Sequence, residues 1–96
     1  MDRKQKSIQL IRLYQALRDS YGWTTGSELA REAGIAGRTA RAHLAVWVSF
    51  DQVEVRHDLF PPRYRIAHPE SDYWRGMEEV AKIYEAAPNA EAKGSL

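Results

Sequence analysis

The chain has no cysteine, which excludes disulfide staples, thiol nucleophiles and cysteine-ligated zinc together. No run approaches the ~18 apolar residues of a membrane span. The N-terminus lacks the apolar stretch of a secretory leader, so a cytoplasmic protein is expected. Paired carboxylates, a nucleophile beside a base and a glycine-rich phosphate loop are also missing, and caps and turns account for the glycines. Neither enzyme activity nor a cofactor is expected. His43, His57 and His68 fall on different elements without i, i+4 spacing, so no metal site is expected either.

What is present suits one small domain. Hydrophobic residues make up 44% of the 96 positions, enough for a modest core. A chain of this length hides only roughly 60–65% of its unfolded surface, so leftover apolar area favours a partner or a second copy. The net charge of +1 conceals a polarised distribution. Residues 1–18 carry +4, with Arg3, Lys4, Lys6, Arg12 and Arg18 against Asp2, and residues 37–67 carry +2. Residues 68–96 carry −3. Local charge of this kind decides attraction to phosphate.

Apolar residues at Leu10, Leu13, Tyr14, Leu17 and Tyr21, flanked by Ile8 and Ile11, predict a helix from Asp2 to about Ser20. Asp2 and Gln5 are spaced to cap its start, and Gly22 to close it. After a short extended link at Trp23–Thr24, Thr25-Gly26-Ser27-Glu28 matches a capping box for a helix over Gly26–Ala33. Gly34 supplies a tight turn, and a third helix is expected over Gly37–Val48 with Ala40, Leu44 and Trp47 inward. The period then changes to two, with Val53 and Val55 in one strand and Tyr64 and Ile66 in another. The loop His57–Pro62 joins them as a hairpin. A last helix begins at Pro69 or is capped by Ser71, carries the stripe Tyr73, Trp74, Met77, Val80, Ala81 and Tyr84, and stops at Pro88. Residues 1–87 are thus read as one domain and residues 88–96 as a disordered tail.

Thr25–Ala67 resembles the winged helix-turn-helix domains of bacterial transcriptional regulators of the ArsR, MarR and IclR type. The resemblance rests on Ser27-Glu28-Leu29-Ala30, Ala33-Gly34-Ile35, Arg38-Thr39-Ala40-Arg41-Ala42-His43-Leu44, and the hairpin ending in Tyr64-Arg65-Ile66. It departs from those families in three places. Ala36 stands where a serine or threonine cap is usual, Trp47 where leucine is usual, and Ser49-Phe50-Asp51-Gln52 lacks the glycine that usually leads into the wing. The implied fold is mainly α with a small β-hairpin: three helices plus a wing, with an appended C-terminal helix.

The resemblance implies binding of double-stranded DNA by a small transcriptional regulator, a repressor, with the third helix in the major groove. Arg38, Thr39, Arg41, Ala42 and His43 are the candidate contacts on that helix. An arginine there can bond guanine bidentately or hold a phosphate without reading sequence. Arg56, Arg63 and Arg65 of the wing either meet the adjacent backbone or minor groove or occupy the solvent face of a strand. The last helix, through Tyr73, Trp74, Met77, Val80 and Tyr84, either forms a homodimer or folds back on its own domain. Two other readings remain at this stage. One is a winged helix that binds protein, and the other is a plasmid-partition, phage or replication-accessory DNA-binding protein.

Overall fold

The computed structural model describes residues 3–86, with side chains from Gln5 onward. The expected cap at Asp2, the side chains of Arg3 and Lys4, and the tail 88–96 lie outside the described residues. The elements run α1 (Arg3–Asp19), β1 (Thr24–Thr25), α2 (Gly26–Ala33), α3 (Gly37–Ser49), β2 (Val53–Arg56), β3 (Arg63–Ile66) and α4 (Asp72–Ala86). Among the described residues no helix is long and apolar enough to cross a membrane.

The end of α1 falls where expected, but its closure begins before Gly22. The helix stops at Asp19, where the Ser20 amide and hydroxyl both donate to the Leu17 carbonyl. The left-handed backbone begins at Tyr21 (φ 49°), one residue before Gly22 (φ 118°). The link after it is also more than a link. Thr24 and Thr25 pair antiparallel with Tyr64 and Arg63, giving a three-stranded sheet in the order β1-β3-β2. Because β1 runs directly into α2, this pairing fixes the wing relative to the helix-turn-helix.

The Thr25 hydroxyl accepts from the Glu28 amide at 3.1 Å, as a cap should, but the Glu28 carboxylate turns to Arg31 instead of completing a reciprocal box. Gly34 then takes φ 69° and ψ 35°, and the Ile35 amide donates back to the Ala30 carbonyl at 3.0 Å. This is a Schellman closure, and it drops Ile35 against the core. The same closure recurs after α3 without glycine. Asp51 adopts φ 61°, its amide donates to Val48, and the Gln52 amide donates to the Trp47 carbonyl at 2.9 Å. Aspartate tolerates the left-handed region better than most side chains, so Asp51 does the work of the missing wing glycine.

The hairpin registers Val53 with Ile66, Glu54 with Arg65, Val55 with Tyr64 and Arg56 with Arg63. Val53 is buried, and Tyr64 and Ile66 pack on the core. Of the two possible starts for α4, Ser71 is the one used: its hydroxyl accepts from the Trp74 amide, and Pro69 lies in the preceding turn.

The core joins Leu13, Tyr14 and Leu17 of α1 to Leu29, Ala30 and Ala33 of α2, to Ala40, Leu44 and Trp47 of α3, and to Trp74 and Ala81 of α4. Trp74 is 1% exposed. It stacks on Tyr14 at 5.3 Å between centroids and meets the edges of Trp47 and Tyr73 at 5.1 and 4.9 Å. Its indole Nε1 donates to the Gln52 carbonyl. A polar latch on the rim also joins α1 to α4. The Tyr14 hydroxyl donates to Glu78, and Arg18 bonds both Glu78 and Glu85. Of the two alternatives for the last helix, its inner face therefore folds back on its own domain, and Trp74 is not on a surface open to a partner.

Candidate nucleic-acid interface

The helix-turn-helix presents α3 because its apolar positions fall on one side. Ala40, Leu44 and Trp47 are buried, so Arg38, Arg41, Ala42, Ala45 and Val46 are left exposed, with Thr39 half-buried beside them. No acidic residue occurs between Glu32 and Asp51. Among the described residues neither Arg38 nor Arg41 has a carboxylate partner. These two cations share the N-terminal half of α3 at i, i+3 spacing, on one face.

The start of α3 adds to that positive end. Ala36 sits at the cap with φ −65° and ψ 143° and offers no side-chain acceptor, so amides of the first turn remain open. Their partial positive charge lies where an anion is favoured. The two glycines nearby make room for Arg41. A Cβ on Gly26 would lie 3.4 Å from the Arg41 Cγ, and one on Gly37 would lie 3.2 Å from its Nη1. The arginine stem therefore runs over Gly26 and its guanidinium lies over the first residue of the helix.

His43 stands apart from this group. It is half-buried, its Nε2 is buried without a hydrogen-bond partner among the described residues, and burial followed by the Lys6 charge holds its pKa below the ordinary imidazole value. Packing at the flank of α3, near Lys6 of α1, is the environment this describes. Ala42, in contrast, is exposed on the same side of the chain as the arginines' half of the helix.

The three wing arginines are already engaged within the chain. Arg56 holds Asp58 through two hydrogen bonds, one from Nε at 3.1 Å. That contact lowers the Asp58 pKa. Arg65 donates to Glu54, its cross-strand partner, at 2.7 Å. Its guanidinium also lies 4.4 Å from the centre of the Trp23 ring, with Arg56 at 5.6 Å from the same ring. Arg63 donates to the Pro61 carbonyl at 2.6 Å and is the wing arginine with no carboxylate partner among the described residues.

Two exposed apolar features, the wing tip and Ile83 of α4, carry no signal that periodicity would reveal. Phe60 at the wing tip is 98% exposed and Leu59 beside it 36%. Both sit in a loop the sequence marks only as proline-bounded. On the other side, α4 leaves Tyr73, Val80 and Ile83 exposed, with Met77 and Tyr84 half-buried. Ile83 lies outside the expected stripe and is the most open of the three, at 67%.

No protein-family model and no curated protein matches the chain. Among solved structures, the crystal structure of the transcriptional repressor BigR from Xylella fastidiosa is similar, with a TM-score of 0.55 and 23% identity over 85% of this chain and 80% of that one. A likeness at that identity bears on the fold, and together with the α1-to-α4 order and three-stranded sheet it makes the chain a winged helix-turn-helix domain with one further helix.

Proposed function

We propose that this domain binds double-stranded DNA and regulates transcription as a repressor. The N-terminal half of α3 enters the major groove, and the wing meets the adjacent backbone or minor groove. One observation carries the reading: Arg38 and Arg41 stand exposed and, among the described residues, without carboxylate partners, on a helix that has no acidic residue. A solvated face chosen only for solubility would mix both signs, as α4 does with Arg75, Glu78, Glu79 and Lys82. Arg38, Arg41, Thr39 and Ala42 are the side chains assigned to base edges and nearby phosphates, with Lys6 adding attraction that weakens with salt. The similarity to a transcriptional repressor supports the regulatory role.

The same proposal includes a homodimer. Tyr73, Val80 and Ile83 form an exposed apolar strip on α4, beside half-buried Met77 and Tyr84. Pairing that strip about a two-fold axis would offer two α3 helices to a pseudo-palindromic site with half-sites about 34 Å apart.

Selection of duplexes from a random pool at low salt tests the DNA reading. Wild-type protein should enrich a defined site, and Arg38→Ala and Arg41→Ala should bind it more weakly. No enrichment by the wild type would end the proposal. Sedimentation at micromolar concentration tests the dimer, which a monomer would remove.

A further inference from the structure

We propose that the wing tip is an apolar wedge, in which Phe60, backed by Leu59 and Pro61, inserts at a base step in the minor groove of duplex DNA. This inference rests on the DNA-binding reading above and concerns how the wing makes its contact. The usual expectation for a basic wing is that its arginines reach the groove. Here Arg56 is held by Asp58, Arg65 by Glu54 and the Trp23 ring, and Arg63 by the Pro61 carbonyl. What the tip leaves unengaged is an aromatic ring, 98% exposed, with Leu59 next to it.

The backbone of the tip is also held locally on both sides. The Arg56–Asp58 pair braces one side of the loop and the Arg63–Pro61 bond the other. Pro61 and Pro62 fix φ at successive positions. A backbone restrained this way has less freedom to lose on contact, and the exposed ring alone is ordered when it inserts. Phenylalanine, leucine and proline are the side chains that unstack minor-groove steps and kink a duplex. The occupant follows from charge and continuity. Arg63, without a carboxylate partner among the described residues, places positive charge beside Phe60, and β3 pairs with the strand that leads into α2. Both suit the phosphate-walled groove next to the one proposed for α3.

The test uses the duplex enriched from the random pool, end-labelled for energy transfer. Wild-type protein should bend it by at least ~20°. Phe60→Ala should bind roughly tenfold more weakly, from the lost burial of the ring, and should leave the duplex straighter. Phe60→Leu should keep most of both properties. Phe60 touches solvent on nearly all sides, so these variants fold as the wild type does. Equal affinity and equal bending by Phe60→Ala would overturn the wedge while leaving the DNA reading intact. Failure of the wild type to enrich any duplex would remove both, and is read before any wing variant is made. If Phe60→Ala instead loses only co-sedimentation with phosphatidylglycerol vesicles, the tip serves a lipid surface and the proposal is wrong.

Discussion

Truncating Trp74 to alanine removes the largest fully buried side chain among the described residues, and one that joins α4 to α1 and α3. The ring hides roughly 200 Å², which at ~25 cal/mol per Å² is about 5 kcal/mol of transfer free energy. The alanine methyl recovers part of this, while the cavity and the three lost ring contacts add to the cost. The indole hydrogen bond matters less, because the Gln52 carbonyl keeps its bond from the Ala67 amide. A net loss of about 4 kcal/mol is expected, within the usual range for tryptophan truncation. At a urea slope of about 1.3 kcal/mol per molar, the midpoint should fall by roughly 3 M. Trp74→Phe should cost about 1–2 kcal/mol, since most of the contact survives. Urea unfolding followed by far-ultraviolet circular dichroism, at two protein concentrations tenfold apart, measures both. A loss below ~1 kcal/mol would refute the packing account. So would a loss seen only at the higher concentration, because α4 would then act through a dimer and not through its own domain.

Three further outcomes follow from individual contacts. Ala36→Ser should raise stability by about 0.5–1 kcal/mol in thermal unfolding by capping α3, and Ala36→Asp should stabilise similarly while weakening DNA binding, because its charge would face phosphate. The Glu78 carboxyl is held below its ordinary pKa, first by the Tyr14 hydroxyl and then by Arg18, against the opposing effect of burial. Its contribution is therefore present at neutral pH and is lost as pH falls through the folded value, so Tyr14→Phe should show a shallower acid decline than wild type in denaturant midpoints between about pH 5 and 3. His43 is depressed by burial, so the unfolded chain takes up its proton first and stability falls on acidification through the ordinary imidazole range. His43→Gln should flatten the change in Tm between about pH 7.5 and 5.5.

The helices and the wing strands were legible because their signals are local. Thr25, Gly34 and Ser71 each act at the cap or turn where their chemistry places them, and the 3.6 and 2 periods separate α3 from β2. The two-residue strand β1 was not legible, since Thr24–Thr25 is too short to show a period and owes its pairing to β3 across some forty residues. The path into the wing was obscured because Asp51 stands where glycine is usual, and only the backbone reveals its left-handed φ. Among candidate contacts, composition places five arginines in residues 37–67 but cannot say which are engaged. Cross-strand register decides that for Arg65, opposite Glu54, and a loop contact decides it for Arg56. Among the described residues Arg38 and Arg41 stay without a carboxylate partner, and α3 itself carries no acid. Phe60 is left exposed in the loop that joins the two paired strands, where no period marks it.

The central claim, that the N-terminal half of α3 reads DNA, is tested most directly by the affinity ratio between the selected duplex and a scrambled one at fixed salt. Wild-type protein should prefer the selected duplex by at least roughly a thousandfold, as proteins usually prefer their specific sites. The ratio should fall by about tenfold or more when Arg38 and Arg41 are both alanine, with affinity for the scrambled duplex reduced far less. A wild-type ratio near one, or a ratio unchanged by the double substitution, would contradict it.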